Sequence, residues 1–407
     1  MLTNKKIAVV ISGGIAAYKM PLVVRALIKA GAKVRVAMTP NAEQFVTRQT
    51  LETLTHYPVL TESTPHYPES VPHIALADWA DYALIAPATA NTMGKLAQGI
   101  ADNEALSALL AMAIPTLIVP AMNHHMWLHP AVQTNILTLR NYGYHVLEPA
   151  EGFLAEGYNG KGRLPEPEAI TLALTALIAN ASAEVPDLTG EVVAISLGGT
   201  EEPIDPVRYL TNRSSGKMGL ALAYTAALAG AKVHVMLTPI AQKLPLLTEF
   251  HKHPVQNAEA LKDAMLAANE AATIMVMAAA VSDYRTANQA TEKMKKQDLA
   301  TSGRITLELV ENPDILLALD NTDTYLVGFA AETQDVENYA RQKLVKKGAD
   351  MIIANDVSDQ AIGFGSDDNA VKVITKDFTH SLAKQSKFDI ASQIWREVKR
   401  AKALAKK

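Results

Sequence analysis

The sequence predicts an α/β protein of two doubly wound, Rossmann-like domains in tandem. Three observations carry this. The chain has 407 residues, more than one hydrophobic core usually serves. Its first forty residues read strand, glycine turn, helix, strand. The same design then recurs, with GAKVRVAMTP at 31–40 closely matched by GAKVHVMLTP at 230–239. Two βαβ starts of one pattern imply two parallel sheets.

The elements follow in order. KIAVVIS is a short β-rich run, Ser12-Gly13-Gly14 turns the chain, and AAYKMPLVVRALIKAG has helical spacing ended by Gly31. KVRVAMTP is the second strand. DYALIAP is a later strand, followed by ATANTMGKLAQGIADN, where Thr89 or Asn91 can cap a helix. A further strand runs into VPAMNHHMW. FLAEGYNGKGR at 153–163 has three glycines in six residues and predicts a mobile loop with Glu156 in its middle. TLALTALIANA closes the first domain, and SAEVPDLTGE at 182–191 is the linker. The expected domains are 1–187 and 188–407. EVVAIS and Leu197-Gly198-Gly199-Thr200 then restart the pattern.

Composition narrows the function. The net charge of −4 opposes bulk nucleic-acid binding, and there is no cysteine for disulfides, thiolate metal sites or nucleophiles. The longest apolar run, ALLAMAIPTLIVPAM, is interrupted by Pro115 and Pro120 and is too short to span a bilayer. With no visible signal peptide, no membrane partner and no nucleic-acid partner, a cytoplasmic enzyme on small molecules is expected.

Gly13 and Gly14 follow a strand and precede a helix, where backbone N–H groups can hold phosphate. The spacing is not GxGxxG, so an NAD-linked oxidoreductase is disfavoured and a mononucleotide such as FMN fits better. Ser12 and Thr39 could add hydroxyl donors, and Thr89 opens the small, hydroxylated segment suited to a flat ligand. A plain strand-to-helix turn accounts for Gly13-Gly14 equally well. Asn123 can donate and accept from one rigid amide. His124 and His125 are adjacent and do not converge on one metal. His73 gains weight only from its company.

In the second half, Asp205, Arg208 and Asn212 could orient an anionic substrate. Ser214-Ser215-Gly216-Lys217 lacks P-loop spacing and is rejected as a Walker motif. Asp283 could bind a metal or a ribose, and Lys293 could neutralise phosphate. Asn312 to Asp314 could read a base or hold a triphosphate. Lys343 and Lys347 lie four apart and share a helix face.

SGGIAAYK, PHIALADWAD, APATANTMGKLAQGIADN, PAMNHHMW and GYNGKGRLPEP together resemble the flavin-dependent cysteine decarboxylases across roughly residues 5–175. The resemblance implies a flavodoxin-like domain with bound FMN (Ser12, Gly13, Gly14, Thr39 and Thr89 at the cofactor), His73 and Asn123 in the active site, and a trimer with flavin between subunits. The substrate clamp of phosphopantothenoylcysteine decarboxylases typically reads Ala-Cys-Gly, the cysteine donating a proton. Here it reads Ala155-Glu156-Gly157. Glu156 is expected to take that role, with lid closure raising its pKa.

DPVRYLTNRSSGKMG, AAAVSDYR, KMKK, NPDI, GFAAET, the Lys343/Lys347 pair and IANDVSDQAIGFGSDDN resemble phosphopantothenate–cysteine ligase across roughly 188–400. This implies a dimeric, CTP-dependent ligase using Mg²⁺, with Asp283 as the metal candidate. Its nucleotide site would comprise Met277, Ala278, Ala279, Asp283, Lys293, Asn312, Pro313, Asp314, Ile315, Phe329, Lys343 and Lys347. Asn212 would stabilise the acyl-cytidylate and Arg208 would bind substrate. The two resemblances in this order match the bacterial bifunctional family of coenzyme A biosynthesis. Trimeric and dimeric contacts in one chain would build a dodecamer. The competing expectation is a regulatory flavin-binding protein with a silent decarboxylase half.

Overall fold

The computed structural model describes residues 2–66, 70–295, 305–332, 335–356 and 365–405. Three quoted segments lie partly outside them: Lys296 of KMKK, Thr333 of GFAAET, and 357–364 within the IANDVSDQAIGFGSDDN run. The chain divides into two compact units, Met1–Ala181 with Pro245–Glu249, and Ser182–Leu244 with Phe250–Lys407.

The first unit holds a parallel sheet of β1 (Lys6–Ile11), β2 (Lys33–Met38), β3 (Tyr82–Ala88), β4 (Thr116–Pro120) and β5 (His145–Val146). Its spatial order is β2-β1-β3-β4-β5, the flavodoxin-like order. β3 and β4 are buried throughout, as expected of parallel strands covered on both faces. Crossover direction reverses at β1 and β3, which opens a crevice at their carboxyl ends. The helix expected over 16–31 is shorter. A 3₁₀ turn, Ile15–Lys19, comes first, and the α-helix runs Met20–Lys29 with Pro21 in its first turn, where a missing N–H does no harm.

FLAEGYNGKGR is a loop only over 154–158, the turn that carries Glu156. Ala150–Phe153 (β6) and Asn159–Arg163 (β7) pair antiparallel as a hairpin. Gly160 and Gly162 serve close approach, while Gly157 takes the left-handed turn at φ +88°. A Cβ on Gly162 would lie 2.0 Å from the Met122 carbonyl oxygen, and one on Gly160 2.9 Å from His124 Cβ. Propensity argued against a strand here, and the packing demand outweighed it.

The second unit carries an eight-stranded sheet. In spatial order its strands are His251–Pro254, Lys232–Leu237, Val192–Leu197, Ile274–Met277, Tyr325–Glu332, Met351–Asp356, Asp368–Thr375 and Thr379–Ser386. The first six are parallel and follow the 3-2-1-4-5-6 order of dinucleotide-binding folds. The last two are antiparallel, an extension that the βαβ pattern did not announce. Helices Lys217–Leu228 and Lys387–Ala405 pack together around the fully buried Trp395. Its Nε1 donates to the Leu222 carbonyl at 3.2 Å and to Thr225 Oγ1 at 3.0 Å. Among the described residues no helix is long and apolar enough to cross a membrane.

Candidate active sites

The first site lies at the β1/β3 crevice. Gly13, Gly14, Thr39, Thr89, Asn123 and Glu156 all line one cleft of about 930 Å³, a size suited to a cofactor-sized ligand. Gly13 is required there, because a Cβ would come 2.4 Å from Asn41 Cβ. Thr89 caps the helix Ala90–Ala97, its hydroxyl accepting from Thr92 N–H at 3.3 Å. Ser12 departs from expectation. It is fully buried, donates to the Pro87 carbonyl at 2.6 Å and accepts from Thr89 N–H at 2.9 Å. Its hydroxyl locks two strand ends together and does not line the cleft.

Asn123 caps the helix His124–Leu128, its Oδ1 accepting from His125 N–H at 2.8 Å. That bond sets the amide orientation and aims Nδ2 at the hairpin. Nδ2 donates to Glu156 Oε1 at 2.8 Å and to the Tyr158 hydroxyl at 2.7 Å. The hairpin is seated from below. Met122 N–H donates to the Gly162 carbonyl at 2.9 Å, and Lys161 N–H donates to His124 Nδ1 at 3.1 Å. The Asn123 amide N–H, then the residue's own backbone N–H, hold the Glu156 carboxyl below its ordinary value. This corrects the expected rise, because in this conformation the side chain is in solvent and accepts a hydrogen bond in its ionised form.

His73 does not join this group. It sits in the first turn of the helix Pro72–Trp79, outside the cleft, with Nδ1 3.0 Å from Glu104 Oε2. His66 Nε2 meets the other oxygen of Glu104 at 3.2 Å.

The second site lies at the corresponding switch point, where Val192–Leu197 and Ile274–Met277 end. A cleft of about 820 Å³ is lined by Asn212, Met277, Ala278, Ala279, Asp283, Asn312, Pro313, Asp314, Ile315, Phe329, Lys343 and Lys347. Asn212 Nδ2 donates to the Val281 carbonyl at 3.1 Å. Asn312 is tied on three sides: its N–H to the Asp283 carbonyl and its Nδ2 to the Ser282 carbonyl, both at 2.8 Å, and its Oδ1 to Arg285 Nη1 at 3.2 Å. Asp314 caps the helix Ile315–Ala318 and pairs with Lys347.

Two expected members stand outside the cleft. Arg208 is committed to Asp205, whose buried carboxylate also accepts from the N–H groups of Val207 and Arg208, each at 2.8 Å. The Arg208 guanidinium, then these backbone bonds, push Asp205 far below the usual carboxylate range. Arg208 also donates to the Met294 carbonyl at 2.8 Å. It therefore organises a loop instead of facing ligand. Lys293 is exposed and does not line the cleft. Among the described residues no group of three or more histidine or carboxylate side chains is arranged for a metal ion.

The family described as "Flavoprotein" matches residues 1–179, and "DNA/pantothenate metabolism flavoprotein C-terminal domain" matches 188–401. The coenzyme A biosynthesis bifunctional protein CoaBC of Bacillus subtilis (strain 168) is 45% identical over 404 residues, covering 98% of this chain and 97% of that one. The chain belongs to the CoaBC family.

The family's Escherichia coli (strain K12) member is 41% identical over 381 residues, covering 92% of each chain. A crystal structure of the C-terminal domain of a CoaBC protein is 32% identical, covering 54% of this chain and 99% of that one, with a TM-score of 0.45. As a CoaBC protein the chain is a bifunctional enzyme of coenzyme A biosynthesis. It joins a flavoprotein phosphopantothenoylcysteine decarboxylase to a phosphopantothenate–cysteine ligase. The regulatory alternative with a silent decarboxylase half is not favoured, since relatives of this bifunctional name match both halves.

Several cleft residues of this CoaBC chain escaped the sequence reading. Lys19 and Arg163 line the first cleft and both meet Glu166, at 3.3 Å and 2.6 Å. His124 anchors the hairpin, its Nδ1 accepting from Lys161 N–H. Lys346 and Lys387 line the second cleft, together with Lys217, which was set aside with the rejected Walker motif.

Proposed function

We propose that residues 1–187 decarboxylate 4′-phosphopantothenoylcysteine with FMN, and that residues 188–407 form that substrate from 4′-phosphopantothenate, cysteine and CTP. The observation that carries the first assignment is the Asn123–Glu156 contact under a hairpin, at the crevice where a flavodoxin-like sheet takes its mononucleotide.

The cleft suits FMN. Gly13 permits the close turn, and Gly14, Thr39 and Thr89 stand where phosphate and ribityl groups would need donors. FMN, when bound, supplies the two-electron redox chemistry by which the cysteinyl carbon loses CO₂. The chain's own residues orient and protonate. Asn123 Nδ2 is the donor available to the substrate carboxylate. A substrate that takes this donor removes the largest cause holding Glu156 ionised. Enclosure by the hairpin then raises the Glu156 pKa, so that it holds the proton needed by the enethiol product. His73 contributes from a second copy in a trimer with the flavin between subunits, and Glu104 fixes its ring.

In the ligase half, the carboxylate of phosphopantothenate attacks the α-phosphate of CTP, and the cysteine amine then attacks the acyl-cytidylate. Asn212 stabilises that intermediate, and Lys343 and Lys347 neutralise phosphate. Asp283, as a single carboxylate, fits a Mg²⁺ ion carried mainly by nucleotide phosphates. Dimeric contacts of this half with trimeric contacts of the other give a dodecamer, and the compartment is the cytoplasm.

Glu156→Gln tests the decarboxylase assignment. The variant should release CO₂ and accumulate the enethiol with reduced flavin. Normal yields of phosphopantetheine would show that the hairpin only encloses the substrate.

A further inference from the structure

The sequence HKHP places His251 and His253 two residues apart on the strand His251–Pro254, so both side chains leave the same face. That strand is the first of the eight in its sheet, and therefore an edge. It pairs in parallel with Lys232–Leu237, with His234 opposite His251 and Met236 opposite His253. Register thus brings a third imidazole to the other two. The His234 ring stacks on His251 with centroids 4.5 Å and planes 15° apart, and on His253 at 5.3 Å and 12°.

One pair in this group meets through nitrogen. His234 Nδ1 lies 3.1 Å from His253 Nε2. At that separation one nitrogen carries a hydrogen and the other offers its lone pair. The same separation suits two neighbouring ligands of one metal ion. With metal–nitrogen bonds of about 2.0–2.1 Å, it subtends roughly 95–102° at the ion, between the octahedral and tetrahedral angles. The parallel ladder already fixes both backbones, so little chain entropy is lost when an ion joins the rings. His234 is half-buried, while His251 and His253 are exposed, so an ion reaches the pair from solvent. Lys232 precedes His234 by two residues and shares its face. Its charge opposes a cation, so binding there depends on ligation by nitrogen and not on the local field.

We propose that His234 and His253 form a surface binding site for a transition-metal dication of the Zn²⁺, Ni²⁺ or Cu²⁺ class. Imidazole suits these ions, whereas Mg²⁺ and Ca²⁺ take oxygen ligands. The site is therefore distinct in chemistry from the Mg²⁺ expected at Asp283. The ion takes one lone pair from His234 Nδ1 and one from His253 Nε2. The ring that donated the shared hydrogen carries it on its other nitrogen instead, so a neutral pair releases no net proton. Water completes the coordination, since among the described residues no group of three or more histidine or carboxylate side chains is arranged for a metal ion. The bound ion clips a four-residue edge strand to its neighbour. It acts on the stability of the second unit and takes no part in either reaction, so the proposal is independent of both catalytic readings.

The test titrates Zn²⁺ into the full-length protein at neutral pH by calorimetry and follows thermal unfolding with and without the ion. His253→Asn removes one ligand at an exposed position, where the fold is not at stake. Changes in the outer shell of a metal site already cost about ten- to hundredfold in affinity, so loss of a ligand should cost at least that. His234→Asn should do the same, while His251→Asn leaves the nitrogen pair in place and should bind Zn²⁺ normally. Zn²⁺ should raise the unfolding temperature of the unmutated chain more than that of His253→Asn, with ligation and CO₂ release unchanged in the variant. Equal Zn²⁺ affinity and stoichiometry in the unmutated chain and His253→Asn would overturn the proposal. So would a loss in His251→Asn as large as that in His253→Asn, or no Zn²⁺ binding by the unmutated chain.

Discussion

Replacing Gly162 by alanine should disable decarboxylation without touching ligation. The added Cβ would sit 2.0 Å from the Met122 carbonyl oxygen. The offending atom is backbone, so no side chain can swing away, and β7 must lift by roughly 1.5 Å to restore contact distance. Overpacking of this kind costs roughly 1–3 kcal/mol. Lifting β7 also breaks the 2.9 Å bond from Met122 N–H to the Gly162 carbonyl, worth about 1 kcal/mol. The sum, roughly 2–4 kcal/mol, falls on the hairpin's seat next to Asn123. The seated population should fall by at least tenfold, and with it the Asn123–Glu156 contact and the rate of CO₂ release. The assay feeds 4′-phosphopantothenoylcysteine to the variant, follows CO₂, and measures amide formation in the same preparation. Gly157→Ala is the control. It meets nothing within 4 Å and carries only its left-handed backbone, φ +88°, at about 1–2 kcal/mol. Normal CO₂ release by Gly162→Ala would refute the view that hairpin seating builds the site.

Three further outcomes are expected. Asn212→Asp should slow amide formation while CTP binding stays intact, because a second negative charge faces the acyl phosphate; an unchanged ligation rate would remove Asn212 from the site. His73→Asn should stop CO₂ release and spare ligation, and loss of both activities would mark a folding role. Burial, then the neighbouring His251, His253 and Lys232, push His234 down to about 4. Its ordinary value is near 6.5, so the unfolded chain binds this proton more readily. The stability is present above about pH 6.5 and is lost as pH falls towards 4. Urea unfolding at pH 7 and pH 5 should show the loss, and His234→Asn should reduce it; an equal pH dependence in the variant would contradict this.

The repeat was legible because identical physics acts twice. GAKVRVAMTP and GAKVHVMLTP each place a glycine at φ +95° before a parallel strand, and side-chain alternation does the rest. The hairpin was not legible, because its glycines answer to Met122 and His124, residues brought there only by the fold. Ser12 misled for a related reason. A hydroxyl at a strand end looks like a ligand donor until Pro87 and Thr89 are seen to use it. Lys343 and Lys347 could be read from helical spacing. Lys217 and Lys387 could not, since helix packing around Trp395 joins two distant segments. Asp368–Thr375 does alternate, yet its antiparallel pairing depends on the strand beside it.

The central claim is that one chain performs both reactions in sequence, through two switch-point clefts. The direct measurement supplies 4′-phosphopantothenate, cysteine, CTP and magnesium to the unmutated, FMN-loaded protein and identifies every product by mass. The account predicts CMP, pyrophosphate, CO₂ and 4′-phosphopantetheine. Accumulation of 4′-phosphopantothenoylcysteine, or of the unreduced enethiol, would contradict it.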